Sequence, residues 1–317
     1  MKYNPHDYQT YETNFVLEHP VAAVLLEMGL GKSVITLTAI FELLYNRFEV
    51  EKVLVIAPLR VARDTWPAEI EKWDHLKGLT CSVVIGTESE RKESLRKSAG
   101  IYLINRENVD WLINKSGFPF DFDMVVIDEL TSFKSASAKR FKSLLKVKRI
   151  VGLTGTPSSN GLMDLWAEFR ILDMGERLGR YITHYRMNFF VPDKRNQQMI
   201  FSYKSRPGAE DAIYRLISDI TISMKLADFL KMPECIMNEV EVKLSEKEWS
   251  VYDELRQEMV VSLEDEEIDA ANAAALSVKL LQMANGAIYN EEKEVFHIHD
   301  RKLDALEDLI EGANGKL

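Results

Sequence analysis

Six short apolar runs punctuate the first half of the chain, at residues 22–26, 52–58, 81–85, 101–104, 124–128 and 149–153. Several are continuous in Val, Ile and Leu and do not alternate with polar residues. A strand with one face in water alternates, whereas a strand covered on both faces does not, and sheets covered on both faces are mostly parallel. Stretches with helical spacing lie between the runs or follow them, at 32–45, 61–73, 88–97, 106–114 and 136–145. Repeated β-then-α order joins parallel strands through crossover helices. The first half is therefore predicted to be α/β, with a mostly parallel, doubly wound sheet.

After residue 172 the rhythm changes. Residues 175–207 are rich in Arg, Tyr, Phe and Met, and Pro192-Asp193-Lys194 reads as a turn. A helix is predicted over 209–230, and a half-buried strand over 236–244. Ser245 with Glu248 three residues later is a capping box that opens a long helix. Further helices are predicted over 270–287 and 301–311, the last stopped by Gly312. No internal repeat is present. The 317 residues, 46% of them hydrophobic, suffice for about two domains.

One segment carries specific chemistry. Leu25-Leu26-Glu27-Met28-Gly29-Leu30-Gly31-Lys32-Ser33 follows a predicted strand and opens a predicted helix, the context a phosphate-binding loop requires. Gly29 and Gly31 let backbone N–H groups turn inward around phosphate oxygens, with Met28 and Leu30 completing the loop. Lys32 offers a point charge to β- and γ-phosphates, and Ser33 a hydroxyl to Mg²⁺. Leu26 stands where the general pattern has a further glycine. The apolar run Val125-Val126-Ile127 ends in Asp128-Glu129. Asp128 is suited to the Mg²⁺ shell and Glu129 to polarising an attacking water, since ligand sites lie at strand C-termini in such sheets. Leu153-Thr154-Gly155-Thr156-Pro157 lies just past another strand, where Thr154 and Thr156 could couple the metal site to a neighbouring surface.

Charge is segregated along the chain. The net charge is −10, yet residues 130–163 hold seven Lys or Arg and no acid. Residues 177–206 hold seven more against Asp193 alone, while 239–311 hold 20 acids against 7 bases. The middle could meet a phosphate backbone, and Lys139, Arg140 and Lys142 are nucleic-acid candidates from charge alone. Cys81 and Cys235 form no metal or redox motif. No stretch is long and apolar enough to span a bilayer, and the N-terminus has no signal-peptide pattern. A cytoplasmic protein with no membrane partner is the expectation.

Together these segments resemble the superfamily 2 helicases, and most closely the Swi/Snf-type DNA translocases in their compact phage-like form. His6-Asp7-Tyr8-Gln9 resembles the adenine-reading segment, with Gln9 as the base-specific residue. Met28–Ser33 resembles motif I, and Leu153–Pro157 motif III. Asp128-Glu129-Leu130-Thr131, followed by Lys134, stands for the Asp-Glu-Ala-His box, with Thr131 replacing its histidine. Ala57-Pro58-Leu59-Arg60 with Trp66 resembles motif Ia, and Ile104-Asn105-Arg106-Glu107 sits where the next DNA-contacting motif lies. The resemblance implies a RecA-like lobe over 1–174 and a helical protrusion with an inter-lobe connection over 175–235. It implies an incomplete second lobe over 236–317. It further implies ATP and Mg²⁺ as cofactors, Lys32, Asp128 and Glu129 as catalytic residues, and double-stranded DNA as partner. Arg60, Arg63 and Arg106 become DNA-contact candidates. The family's arginine-finger motif has no counterpart in these residues, so the expectation is a fragment with weak or no hydrolysis, completed by a missing lobe or a partner chain. The alternative is a truncated, non-catalytic protein that binds nucleotide, DNA or a partner. A small-molecule kinase accounts poorly for Gln9, the acidic pair and motif III together.

Overall fold

A computed structural model describes residues 1–133, 147–155, 161–194, 200–224, 238–263, 266–270, 272–290 and 292–312. The chain forms two compact units, 1–232 and 233–317.

In the first unit, each of the six apolar runs is a strand: β1 (Val21–Leu26), β2 (Val53–Ala57), β3 (Cys81–Val84), β4 (Ile101–Asn105), β5 (Met124–Asp128) and β6 (Arg149–Thr154). With a later strand, β9 (Thr221–Met224), they form one sheet in the order β3-β4-β2-β5-β6-β1-β9. Every neighbouring pair is parallel. Alternate residues of one strand enter opposite cores, which explains the continuous apolar runs. Val24, Val55, Leu103, Val126 and Val151 face a core closed by α1 (Asp7–Glu18), α2 (Lys32–Phe41) and α3 (Trp66–Lys72). Leu25, Ile56, Ile104, Ile127 and Ile150 face a second core. That core is closed by α5 (Val109–Asn114), α6 (Leu162–Leu172), α7 (Ile182–Phe189) and α8 (Ala209–Ile217). The surface helix α4 (Glu88–Arg96) buries none of its residues and is held by a capping box between Thr87 and Glu90.

Two helices start or end in a wide π turn. α2 runs on into one at Glu42–Asn46, and another at Val61–Thr65 precedes α3, where Pro67 has no N–H to donate. The aromatic-basic segment folds as α7 followed by a short antiparallel pair, β7 (Phe190–Pro192) and β8 (Tyr203–Ser205). Tyr185 and Phe190 are buried in the second core, while Tyr181 is exposed.

The continuous helix expected over 209–230 is not formed. α8 ends at Ile217, a 3₁₀ turn covers Ser218–Ile220, and β9 follows, pairing with β1. Arg177 grips the turn, donating to both Asp219 oxygens at 2.8 and 2.6 Å. The free edge of β1 offers four residues a parallel partner, which local helix propensity does not foresee. Residues 225–230 of that expected helix lie outside the described residues, as does the whole helix expected over 136–145.

The described part of the second unit starts with 238–244 in no regular structure, so the strand expected over 236–244 is not formed among the described residues. Those residues are mostly exposed and pair with no strand among the described residues. The Ser245–Glu248 capping box opens α9 (Glu246–Glu258) as expected. Arg301 adds a second hold on Glu248. Hydrogen bonds from Ser245 and the charge of Arg301 bring the Glu248 carboxyl down to about 2. Two hairpins then alternate with helices: β10 (Val260–Leu263) with β11 (Glu266–Asp269), α10 (Ala273–Ala284), β12 (Ala287–Tyr289) with β13 (Val295–His297), and α11 (Arg301–Gly312). Leu255, Val261, Ile268, Met283 and Ile288 form its small core.

Candidate functional site

The register of the sheet places three strand ends on one rim. Leu25 of β1 lies beside Thr154 of β6, and Leu153 of β6 lies beside Asp128 of β5. The loop leaving β1 and the acidic pair leaving β5 are therefore separated by only one strand.

In the loop, Gly29 and Gly31 hold φ of +89° and +84°. Gly31 is also the residue preceding α2, and a Cβ there would stand 2.8 Å from Gln9 Nε2 and 3.2 Å from Val34. Both the backbone turn and the close approach of α1 require glycine. Leu30 is buried, and its carbonyl accepts from Tyr8 Oη and Gln9 Nε2, each at 3.3 Å. Lys32 folds back, donating from Nζ to Leu26 O at 2.8 Å and Glu27 O at 3.3 Å. Burial lowers its proton affinity, and the charges of Asp128, Glu129 and Glu12 oppose that shift. Gly155 closes over the same place, its Cβ position 3.5 Å from Lys32 Nζ.

The acidic pair is held differently at each carboxylate. Asp128 is raised by burial and by the neighbouring Glu129, while a 2.8 Å hydrogen bond from Trp66 Nε1 to Oδ2 favours its charged form. Glu129 adopts φ +61°, a conformation uncommon for a side-chain-bearing residue. Its Oε1 accepts from Thr131 Oγ1 and, at 3.1 Å, from Thr154 Oγ1. Thr131, the departure from the histidine-bearing box, thus engages the glutamate two residues before it directly. Trp66 was legible as part of a motif, but its grip on Asp128 was not, because it joins residues 62 apart in sequence.

A cavity of about 640 Å³ opens beside the loop. Gln9, Met28, Gly29, Gly31, Lys32 and Ser33 line it, and Tyr3, His6 and Trp73 add aromatic surface. Its size falls within the ordinary range for small-molecule sites. Gln9 spends its amide on the protein: Oε1 accepts from His6 N at 3.0 Å while Nε2 reaches Leu30 O. It therefore ties the N-terminal segment to the loop, at the edge of the cavity. Ser33 and Asp128 are hard oxygen donors suited to Mg²⁺. No group of three or more His, Cys, Asp or Glu among the described residues could hold a metal ion by itself. An ion here fits as a companion of a phosphate ligand.

Of the nucleic-acid candidates, Arg60 and Arg63 follow β2, and Arg106 follows β4. All three are exposed. Arg63 forms a fork onto Asp64 at 2.9 and 2.8 Å, and Arg106 donates to Glu107 at 2.7 Å. Lys139, Arg140, Lys142 and Thr156 lie outside the described residues. No helix among the described residues is long and apolar enough to cross a membrane.

The profile of the SNF2-related domain matches residues 22–294. Protein p41 of Acyrthosiphon pisum secondary endosymbiont phage 1 is 36% identical over 324 residues, covering 99% of this chain and 70% of that protein. An uncharacterized ATP-dependent helicase of Mycoplasma genitalium is 24% identical over 291 residues, covering 90% of this chain but only 26% of that protein. Among solved structures, the Sulfolobus solfataricus SWI2/SNF2 ATPase core in complex with dsDNA superposes with a TM-score of 0.58 at 21% identity, over 99% of this chain and 65% of that one. The chain thus spans about a quarter of the Mycoplasma helicase and less than two thirds of the Sulfolobus core. The structural likeness concerns the fold, a RecA-like sheet with helices on both faces.

Proposed function

The chain belongs to the SNF2-related family, and from that membership we propose that residues 1–232 bind MgATP and form the first motor lobe of an ATP-dependent translocase on double-stranded DNA. The observation that carries this reading is the shared rim of β1, β5 and β6, where Lys32 feels both Asp128 and Glu129 and where Thr154 bonds to Glu129. Gly29 and Gly31 turn the loop so that its amides and the N-terminus of α2 face the phosphates. Lys32, now bonded to Leu26 and Glu27 carbonyls, exchanges them for phosphate oxygens. Ser33 and Asp128 would hold Mg²⁺, which when bound neutralises charge on the β- and γ-phosphates. Glu129, fixed by two threonine hydroxyls at Oε1, orients the attacking water and accepts its proton. Thr154 ends β6, within the segment that resembles motif III, so a change at Glu129 is passed to that segment.

Hydrolysis by this lobe alone is expected to be slow. An arginine opposite the transferred phosphoryl is worth about 10³–10⁵ in rate in comparable hydrolases, and this reading places it on a second lobe. DNA phosphates would displace Asp64 from Arg63 and Glu107 from Arg106, with Arg60 beside them. Lys139, Arg140, Lys142 and Thr156 are proposed from sequence only. The test is nucleotide binding and ATPase with and without double-stranded DNA at low salt. Lys32→Ala should abolish nucleotide binding, and DNA should stimulate turnover in a protein that includes both lobes. Unchanged binding in Lys32→Ala, or the absence of DNA stimulation at low salt, overturns the reading.

A further inference from the structure

One charged side chain in the first unit has no evident structural reason to be where it is. Glu12 lies on the face of α1 that packs against α2, and it is fully buried. Neither carboxyl oxygen has a hydrogen-bond partner among the described residues, and the buried Tyr3 hydroxyl has none either. α1 is anchored to the phosphate loop by Tyr8 and Gln9, which flank the same face and converge on Leu30 O. The groups electrostatically linked to Glu12 come from three elements: its charge raises Tyr3 of the N-terminal segment and Tyr8 of α1, while Lys32 of α2 acts on Glu12 itself. Lys32 is the group among these that favours the carboxylate, and it is the residue proposed above to exchange its carbonyl partners for phosphate oxygens.

We propose that Glu12 is a proton-accepting group coupled to the nucleotide site through Lys32, so that filling the phosphate loop drives Glu12 to its neutral form with uptake of one proton. The inference rests on the nucleotide reading of the loop. In the empty loop the Lys32 ammonium partly supports the buried carboxylate. A polyphosphate claims that ammonium and adds several negative charges nearby, so the carboxylate loses its support and gains repulsion. The balance is one proton from solvent onto a Glu12 oxygen, with no other bond made or broken. Burial already raises Glu12 to about 8 in the empty protein, Lys32 partly opposing, so the linkage operates above that pH. Tyr3 is raised to about 12 by burial and by Tyr8 and Glu12, and stays neutral throughout that range.

The experiment is calorimetric titration with MgADP at pH 7 and pH 9, in buffers of low and high ionisation enthalpy, on the wild type and on Glu12→Gln. Affinity in the wild type should fall about tenfold from pH 7 to pH 9, with close to one proton taken up at pH 9, one pH unit of linkage being one factor of ten. Glu12→Gln should flatten that fall and take up almost no proton. If the linkage belonged to Lys32, removing Glu12 would lower its proton affinity further and steepen the fall, so equal or greater proton uptake in Glu12→Gln overturns the proposal. A measurement that needs no variant is the infrared band of a neutral carboxylic acid, which should grow when MgADP is added to the wild type at pH 9. Its failure to grow also overturns the proposal. Binding at pH 7 without proton linkage at pH 9 refutes this inference alone, whereas no MgADP binding at any pH refutes the nucleotide reading with it.

Discussion

Replacing Glu12 by Gln should make the first unit more stable at neutral and alkaline pH, contrary to the usual result of altering a buried residue. The carboxyl moves from an ordinary 4.5 to about 8 on folding, chiefly because burial disfavours its charge. The folded state therefore holds a proton that the unfolded state releases between those values. Stability from this group is fully present below about 4.5 and falls as pH rises towards 8. At about 1.4 kcal/mol per unit, the loss is about 3 kcal/mol at pH 7 and approaches about 5 kcal/mol above pH 8, an upper bound because water reaching the site would reduce it. Gln has the shape of the neutral acid and cannot ionise, so it should escape this loss while leaving an amide short of partners. The assay is urea denaturation followed by tryptophan fluorescence at pH 5, 7 and 9. The difference between variant and wild type removes the contribution of Asp128, which is also raised by burial, and of lowered carboxylates such as Asp123. Parallel pH profiles for the two proteins would refute the reasoning, because they would mean that Glu12 is solvated or paired.

Other substitutions probe the rim. Trp66→Phe removes the donor to Asp128 Oδ2, a part-buried bond to a charged group worth about 1.5–3 kcal/mol; the expected result, read from ATPase against Mg²⁺ concentration, is a raised Mg²⁺ requirement. Thr154→Val keeps the shape of the side chain and removes one hydroxyl from Glu129, so kcat should fall roughly tenfold, as about 1.4 kcal/mol implies, with nucleotide affinity little changed in a binding titration. Gly31→Ala forces a side chain into φ +84° and against Gln9 Nε2. It should destabilise by about 1–2 kcal/mol in denaturant unfolding and abolish nucleotide binding.

The parts of the site most easily read from sequence were those whose chemistry is local. Gly29, Gly31, Lys32 and Ser33 are consecutive or nearly so, and Asp128-Glu129 are adjacent, so the expectation that they form one site follows from spacing. Pairings across the fold were not legible. Glu129 meets Thr154 because β5 and β6 pair in register, and Asp128, at the end of β5, meets Trp66, the first residue of α3, through a hydrogen bond spanning 62 residues of sequence. A signal for Glu12 was present in α1, where Tyr8, Glu12 and Val16 recur at four-residue spacing on one face. A carboxylate in that apolar phase marks burial, but it does not say what lies opposite.

By itself the sequence determined that the first half is a parallel α/β unit, since continuous apolar runs demand cover on both faces, and it supplied two glycines where the chain turns left-handed between β1 and α2. It also determined the start of α9, because a capping box needs only four residues. The tertiary structure decided β9, which exists only because the edge of β1 is open to it. It also decided that Thr131 and Thr154 share one glutamate oxygen, and that Glu12 is sealed beside Lys32's helix. Local propensity acts over a few residues, whereas strand edges, shared hydrogen bonds and desolvation arise only where distant segments meet.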